Sequence, residues 1–276
     1  MSPREAVLLV YGLIFGTSTP YLKPKKRFLF PTSMRNVAAG FDLFFGGSGV
    51  CARLETTTGQ YVVNLNQGDA ARKWVKEIQG TGQSVNAVFL NSLNGNFADA
   101  ASLEALVSTE VYVHAGDSSV LTIFKDLKTH DVSTTTRLRV GDETIVLIPV
   151  IGAATATDMV VYFESRSIMM FGALFYNRVH PELAVGASSR VHHWIETLES
   201  LIATYNPAIC VPAEGDSGNV NDVREFMRYL KTLTEPEADF SYCRQNFDWI
   251  EIPSTTSLEE NYDTLRRNKK THTSLN

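Results

Sequence analysis

Six histidines and three cysteines are the side chains best suited to hold a metal or activate a nucleophile, and their spacing argues against both. His192 and His193 are adjacent, and neighbours on a helix point about 100 degrees apart, so they do not chelate together. At least one of the pair belongs on the surface. His114 closes an apolar run ahead of Asp117, and His130 stands beside Asp131 in a polar stretch that reads as a loop. Cys51, Cys210 and Cys243 are too few and too scattered for a disulfide framework or a zinc site. Ser92 lacks the Gly-x-Ser-x-Gly elbow of a serine hydrolase. Gly46-Gly47-Ser48-Gly49 is a turn without the lysine and helix of a phosphate loop.

Composition narrows the classes further. The chain of 276 residues is 44% hydrophobic and 20% charged, which fits a globular protein with a large core. A net charge of -5 offers no basic face for phosphates, so nucleic acid is not an expected partner. No apolar run is long enough to cross a membrane as a helix, so a membrane is not expected either. Ala6 to Gly16 is apolar and follows Arg4, in outline a signal peptide. Glu5 and the lack of a clean small-x-small site favour a segment that packs on the body, and a cytoplasmic protein.

The elements that must position any site follow from periodicity. Strands are predicted at Gly49 to Thr56, Gln60 to Asn64, Val85 to Leu90, Glu110 to His114, Thr135 to Val140, Thr144 to Val150, Met159 to Phe163, Ser167 to Phe171 and Ala208 to Val211. Helical spacing marks Asp69 to Gln79, with Ala71, Trp74, Val75 and Ile78 on one face. It also marks Ala98 to Val107, Ser118 to Phe124, Val191 to Tyr205 and Val220 to Leu233. Arg266 to Asn276 is polar and reads as a frayed tail. Consecutive strands between helices predict an α/β protein of two mixed sheets with helices outside.

Four segments, in this order, resemble the metallo-β-lactamase-like hydrolase family over Phe41 to Leu233. Val88 to Phe97 (VFLNSLNGNF) stands where the family has a strand running into Thr-His-x-His-x-Asp-His. Gly152 to Asp158 (GAATATD) stands for Gly-His-Thr and, in one branch, a following Asp. Phe171 to Pro181 (FGALFYNRVHP) stands for Gly-Asp with that branch's Asn-x-Val-His-Pro tail, and Val211 to Gly215 (VPAEG) for Pro-Gly-His. The resemblance implies a four-layer α/β-βα sandwich at 41–235, with an N-terminal extension at 1–40 and a C-terminal extension at 236–276. It also implies a cleft in which family members bind one or two zinc ions.

The ligand positions carry other residues. Ser92, Asn94, Asn96 and Phe97 replace the first cluster. Ala154 replaces the next histidine and Ala173 the bridging aspartate; Glu214 replaces the last histidine. Asn64-Leu65-Asn66 stands for a supporting Asp-Thr-Gly. One carboxylate in seven positions does not hold zinc against water, so no metal and no other cofactor is expected. The replacements are mostly small or amide-bearing, which pack and hydrogen-bond without a metal's charge and so favour a repurposed cleft over a drifted one.

In such a cleft Glu214 is the expected general acid or base, because partial desolvation raises a carboxyl's pKa. Asn94 and Asn96 would donate to a developing oxyanion, and Tyr176 would donate a proton. Ser92, Phe97, Thr155, Asn177 and His180 complete the expected substrate contacts. Pairing of Glu214 with Arg178, an asparagine network in place of metal, and loop-anchoring roles for Tyr176 and His180 are the bland alternatives. The expectation is a metal-independent enzyme of small-molecule metabolism, performing cyclisation, dehydration, elimination or ester hydrolysis. The aromatics Phe41, Phe44, Phe45, Phe97, Phe175 and Tyr176 suggest an apolar or polyketide-like substrate. The alternative is a non-catalytic ligand-binding or regulatory pseudoenzyme. A homodimer is the one assembly left open.

Overall fold

A computed structural model describes residues 33–46, 49–65, 68–91, 109–114, 116, 127–181, 183, 187–235, 239–247, 249 and 257–272. Seven strands make the first sheet, in sequential order: β1 (Ser33–Ala38), β2 (Phe41–Gly46), β3 (Gly49–Thr56), β4 (Gly59–Val63), β5 (Val85–Leu90), β6 (Glu110–Val113) and β7 (Lys128–Asp131). Pairing is antiparallel from β1 to β4 and parallel from β4 to β7. The second sheet runs β12-β11-β10-β9-β8, from β8 (Thr136–Val140), β9 (Glu143–Ile151), β10 (Thr157–Phe163), β11 (Ile168–Met170) and β12 (Ile209–Val211). Only its β11–β12 pair is parallel.

Strand periodicity builds the layers. Ile145 and Leu147 of β9 and Met159, Val161 and Phe163 of β10 enter the core between the sheets. Val146, Ile148, Val160 and Tyr162, the alternate residues, enter the core under the outer helices. Both faces of these strands are therefore buried, which is why they read as continuous apolar runs. On the far face of the first sheet, helix α1 (Gly68–Gly80) seats Trp74, Val75 and Ile78 against Val62, Val88 and Val111. The Trp74 ring stacks on Phe44 at 4.8 Å. Helices α2 (Ala187–Tyr205) and α3 (Val220–Thr234) cover the second sheet. The result is the four-layer α/β-βα sandwich that the resemblance implies.

The flanking segments join the body. β1 precedes the expected boundary at residue 41 and pairs with β2. Beyond residue 235, α4 (Phe240–Asn246) and α5 (Leu258–His272) add Cys243, Leu258 and Leu265 to the helix-side core. Asn261 donates to the Pro181 carbonyl at 2.9 Å and to the Tyr229 hydroxyl at 3.1 Å, fixing α5 to the rest.

Three expectations are corrected. His130 lies in strand β7, not in a loop, and stacks on Tyr112 at 4.5 Å. The tail from Arg266 is helical as far as His272. The aromatics assigned to a cleft mouth are mostly core. Phe41 meets Phe163 edge-on at 4.7 Å, Phe44 faces α1, and Phe175 packs on Phe171 and Phe226. The helices predicted at Ala98 to Val107 and Ser118 to Phe124 lie outside the described residues.

Candidate functional site

One edge of the sandwich gathers the carboxyl ends of β4, β5, β6, β11 and β12 with the loop between β9 and β10. Two backbone bonds lace the sheets together there. Met159 N–H donates to the Asn91 carbonyl at 3.1 Å, and Val50 N–H to the Ala213 carbonyl at 3.0 Å. Of the described residues that the sequence assigned to the site, Glu214, Tyr176, Asn177 and Thr155 are at this edge and His180 is not.

Glu214 follows β12 and pairs with Tyr176 through an isolated parallel bridge, which sets the two half-buried side chains side by side. Asn177 N–H donates to the Glu214 carbonyl at 3.1 Å, and the Asn177 side chain donates to the Asp216 carbonyl at 2.8 Å. The two segments are thus held backbone to backbone. Gly215 makes this approach feasible, with φ +97 and a Cβ position that would fall 2.2 Å from the Asn177 carbonyl oxygen. Tyr176 rests its ring on Phe226 at 6.0 Å. Arg178 is exposed.

Thr155 is nearly buried and serves Asp158. Its N–H donates to one carboxylate oxygen at 3.0 Å, and its hydroxyl donates to the other at 2.9 Å. Asp158 is buried, and that burial pushes its carboxyl up to about 6, although the Thr155 bonds and the charge of Arg190 pull the other way. A carboxyl at that value exchanges protons near neutrality. Sequence reasoning met Asp158 only as the residue following a lost histidine. The Thr-x-x-Asp spacing, which lets one side chain receive its neighbour's N–H and hydroxyl, was the available signal.

Asn64, expected only as a stand-in for a supporting aspartate, has a partner the sequence did not reveal. Asn64, at φ 58, and Asn91 form a reciprocal buried pair: Asn64 Nδ2 donates to Asn91 Oδ1 at 2.8 Å, and Asn91 N–H donates to Asn64 Oδ1 at 3.2 Å. Gly172 packs so closely that a Cβ there would meet the Asn91 carbonyl oxygen at 2.9 Å. His114 follows β6, one residue beyond the Leu90–Val113 pair and hence beside Asn91. It is buried, and neither ring nitrogen has a hydrogen-bond partner among the described residues.

His180 is not brought to Glu214. It is buried in the helix layer, where Nδ1 lies 3.1 Å from the Tyr229 hydroxyl and the ring stacks on Trp249 at 5.9 Å. Ser92, Asn94, Asn96 and Phe97 lie outside the described residues. His192 is exposed and reaches Glu196 at 3.2 Å, while His193 Nε2 faces the Ile151 carbonyl at 3.1 Å, so the two do not converge.

The described donors do not fit a zinc centre. Ala154 and Ala173 present buried methyl groups where ligands would stand. Among the described residues no three His, Cys, Asp or Glu side chains are grouped to hold a metal ion. Asp158 already has both oxygens engaged by Thr155. What the edge can do chemically is bind and move protons, with Asp158, Glu214, Tyr176 and His114 as its titratable groups.

No protein-family model matches the sequence, and no curated protein matches it significantly. Solved structures do match. A metallo-β-lactamase from Pontibacter korlensis superposes with a TM-score of 0.61 at 13% identity, covering 73% of this chain and 99% of that one. The DIM-1 metallo-β-lactamase gives 0.60 at 13%, covering 74% and 99%. A double mutant of the sec-alkyl sulfatase PisA1 gives 0.63 at 9%, covering 86% of this chain and 50% of that one. The chain therefore has the metallo-β-lactamase fold.

Proposed function

We propose that the protein is a metal-independent enzyme of small-molecule metabolism that uses this edge for general acid–base chemistry. The single observation that carries the reading is the Tyr176–Glu214 bridge, which pairs the backbones of a half-buried glutamate and a half-buried tyrosine at this edge. Glu214 takes a proton from the substrate or from water, and Tyr176 returns one to the leaving oxygen. Asn94 and Asn96 donate to the oxyanion. Thr155 holds Asp158, whose carboxyl burial pushes up to about 6, as a further proton donor and acceptor at the same edge. The hydrolases among the fold neighbours favour ester hydrolysis over cyclisation, dehydration or elimination. Tyr176 is the described aromatic at this edge that meets an apolar substrate.

A second reading has its own support. Asn64 with Asn91, and Thr155 with Asp158, satisfy each other inside the edge, as a packed non-catalytic ligand-binding protein would have them.

The test is turnover of aryl esters and hydroxyacyl thioesters by chelator-treated protein, read by mass spectrometry, beside Glu214→Gln. The expected result is turnover that survives chelation and falls by roughly a hundredfold or more in the variant, with substrate binding retained. Turnover abolished by chelation defeats metal independence. Saturable binding without turnover, unchanged in Glu214→Gln, establishes the second reading.

A further inference from the structure

Among the described residues, a cavity of about 750 Å³ opens at the edge opposite Glu214. Val85 and Glu110, the first residues of β5 and β6, stand at it beside Leu138 and Val140 of β8. The candidate site lies past the other end of β5, and six residues of strand span roughly 20 Å. Nothing in the proposed chemistry uses this cavity.

The cavity is a gap at the end of the core between the sheets. Tyr61, Tyr112, Leu138 and Val140 line it, and all four belong to that core or pack on it. Phe89, Tyr112 and His130 stand opposite one another on β5, β6 and β7, with ring centroids 5.4 and 4.5 Å apart. Neighbours on both sides thus take the faces of the Tyr112 ring and leave its edge to the gap. A ring edge is the positive part of its quadrupole, and the face of a second aromatic ring lies across it favourably. Leu138 and Val140 supply apolar surface on the opposite wall. The walls therefore suit a flat aromatic body.

Charge decides which flat body enters. Arg137 and Arg139 border the cavity, but they alternate with Leu138 and Val140 and so face the other side of β8. Glu164 holds Arg137 there, at 2.8 and 3.0 Å. Glu110 is different. It precedes Tyr112 by two residues on β6, and the Tyr112 hydroxyl donates to its Oε2 at 2.9 Å, so the carboxylate shares the side of the lining ring. The Lys128 ammonium takes the other oxygen, and His130 Nε2 lies 3.2 Å from Oε2. An anion entering the gap would lose its water beside a carboxylate, and a cation would have to displace Lys128. An uncharged body meets neither cost.

We propose that this cavity is a second small-molecule site, which binds an uncharged planar aromatic compound between Tyr112 and Leu138, and that Glu110 keeps anions out. The inference does not depend on catalysis at the other edge.

The full-length protein is titrated by calorimetry with naphthylmethanol, naphthoate and naphthylmethylamine, for wild type, Glu110→Gln, Leu138→Ala and Glu214→Gln. The alcohol is expected to saturate one site and to bind roughly tenfold more tightly than either ion. Glu110→Gln removes the rejecting charge and frees the Lys128 ammonium, so naphthoate should gain about tenfold while the alcohol stays within about twofold. Leu138→Ala should weaken the alcohol roughly tenfold by removing part of the aliphatic wall, and Glu214→Gln should change no affinity. Circular dichroism checks each fold, and Glu110→Gln decides alone if Leu138→Ala unfolds. No saturation at millimolar alcohol, an ion that binds as tightly as the alcohol, no gain for naphthoate in Glu110→Gln, or a loss of the alcohol in Glu214→Gln but not in a folded Leu138→Ala would overturn the proposal.

Discussion

Asp158 and Glu110 are carboxylates at opposite edges of one sandwich, and their surroundings move them in opposite directions. Burial lifts Asp158 to about 6 against the two Thr155 bonds. The Lys128 ammonium, and then the Tyr112 hydroxyl, hold Glu110 below the usual carboxylate range. At the first edge Asp158 is buried and both of its oxygens are met by Thr155. The second leaves its charges near solvent, with Glu110 matched by the exposed Lys128. Disruption should therefore be costly at the first edge and cheap at the second.

The sharpest way to break the contrast is Gly215→Ala. The added Cβ would sit 2.2 Å from a backbone carbonyl, at a φ of +97 that side chains rarely adopt. Strain and displacement together predict a loss of more than about 3 kcal/mol, read from the urea midpoint. The same shift parts Glu214 from Asn177, so any turnover should fall with it.

Asp158→Asn comes next and is read through pH. The folded carboxyl keeps its proton up to about 6, where the unfolded one has already released it above 3.8. The native state then binds more protons, so this group's stabilisation is whole below about pH 4 and is lost as pH rises through about 6. Wild type should lose on the order of 2 to 3 kcal/mol relative to Asp158→Asn across that window. A flat difference between the two stability curves would show that Asp158 is solvated. Asn91→Ala removes the acceptor of the Asn64 amide inside the same edge, and denaturant unfolding should show about 1 to 2 kcal/mol.

What was legible in the sequence follows the same division. Where strands are buried on both faces, as in β5, β9 and β10, apolar runs mark them to within two residues. β1, β2 and β7 were not predicted: Ser33–Ala38 is largely exposed, Lys128–Asp131 carries no apolar residue, and in Phe41–Gly46 the apolar run is broken by Asp42 and ends on glycine, although the strand is buried on both faces; pairing with neighbouring strands makes them strands. The helices after residue 235 escaped because their buried faces are thin, with Cys243 from one and Leu258, Asn261 and Leu265 from the other. At the site, Glu214 and Tyr176 could be named from the order of segments. Their bridge could not, because it depends on Gly215 bringing two distant loops together. His180 shows the reverse limit: a histidine three residues past Asn177 turns into the core, since Tyr229 and Trp249 offer it a partner and a stacking face.

The smallest effect sharpens the comparison most. Glu110→Gln removes a carboxylate whose folded pKa is lowered, so its contribution exists above the unfolded value and disappears as pH falls through the folded one. That is the opposite sign to Asp158. The Lys128 side chain is 68% exposed, so water and salt screen the pair. The expected change at neutral pH is within about 0.5 kcal/mol, and it should shrink further at molar salt. Asp158 has no exposed partner to screen, and its pH slope should survive the same salt. Thermal unfolding of both variants at low and high ionic strength measures the two together. A Glu110→Gln loss as large as that of Asn91→Ala would mean that this edge is as closed as the other.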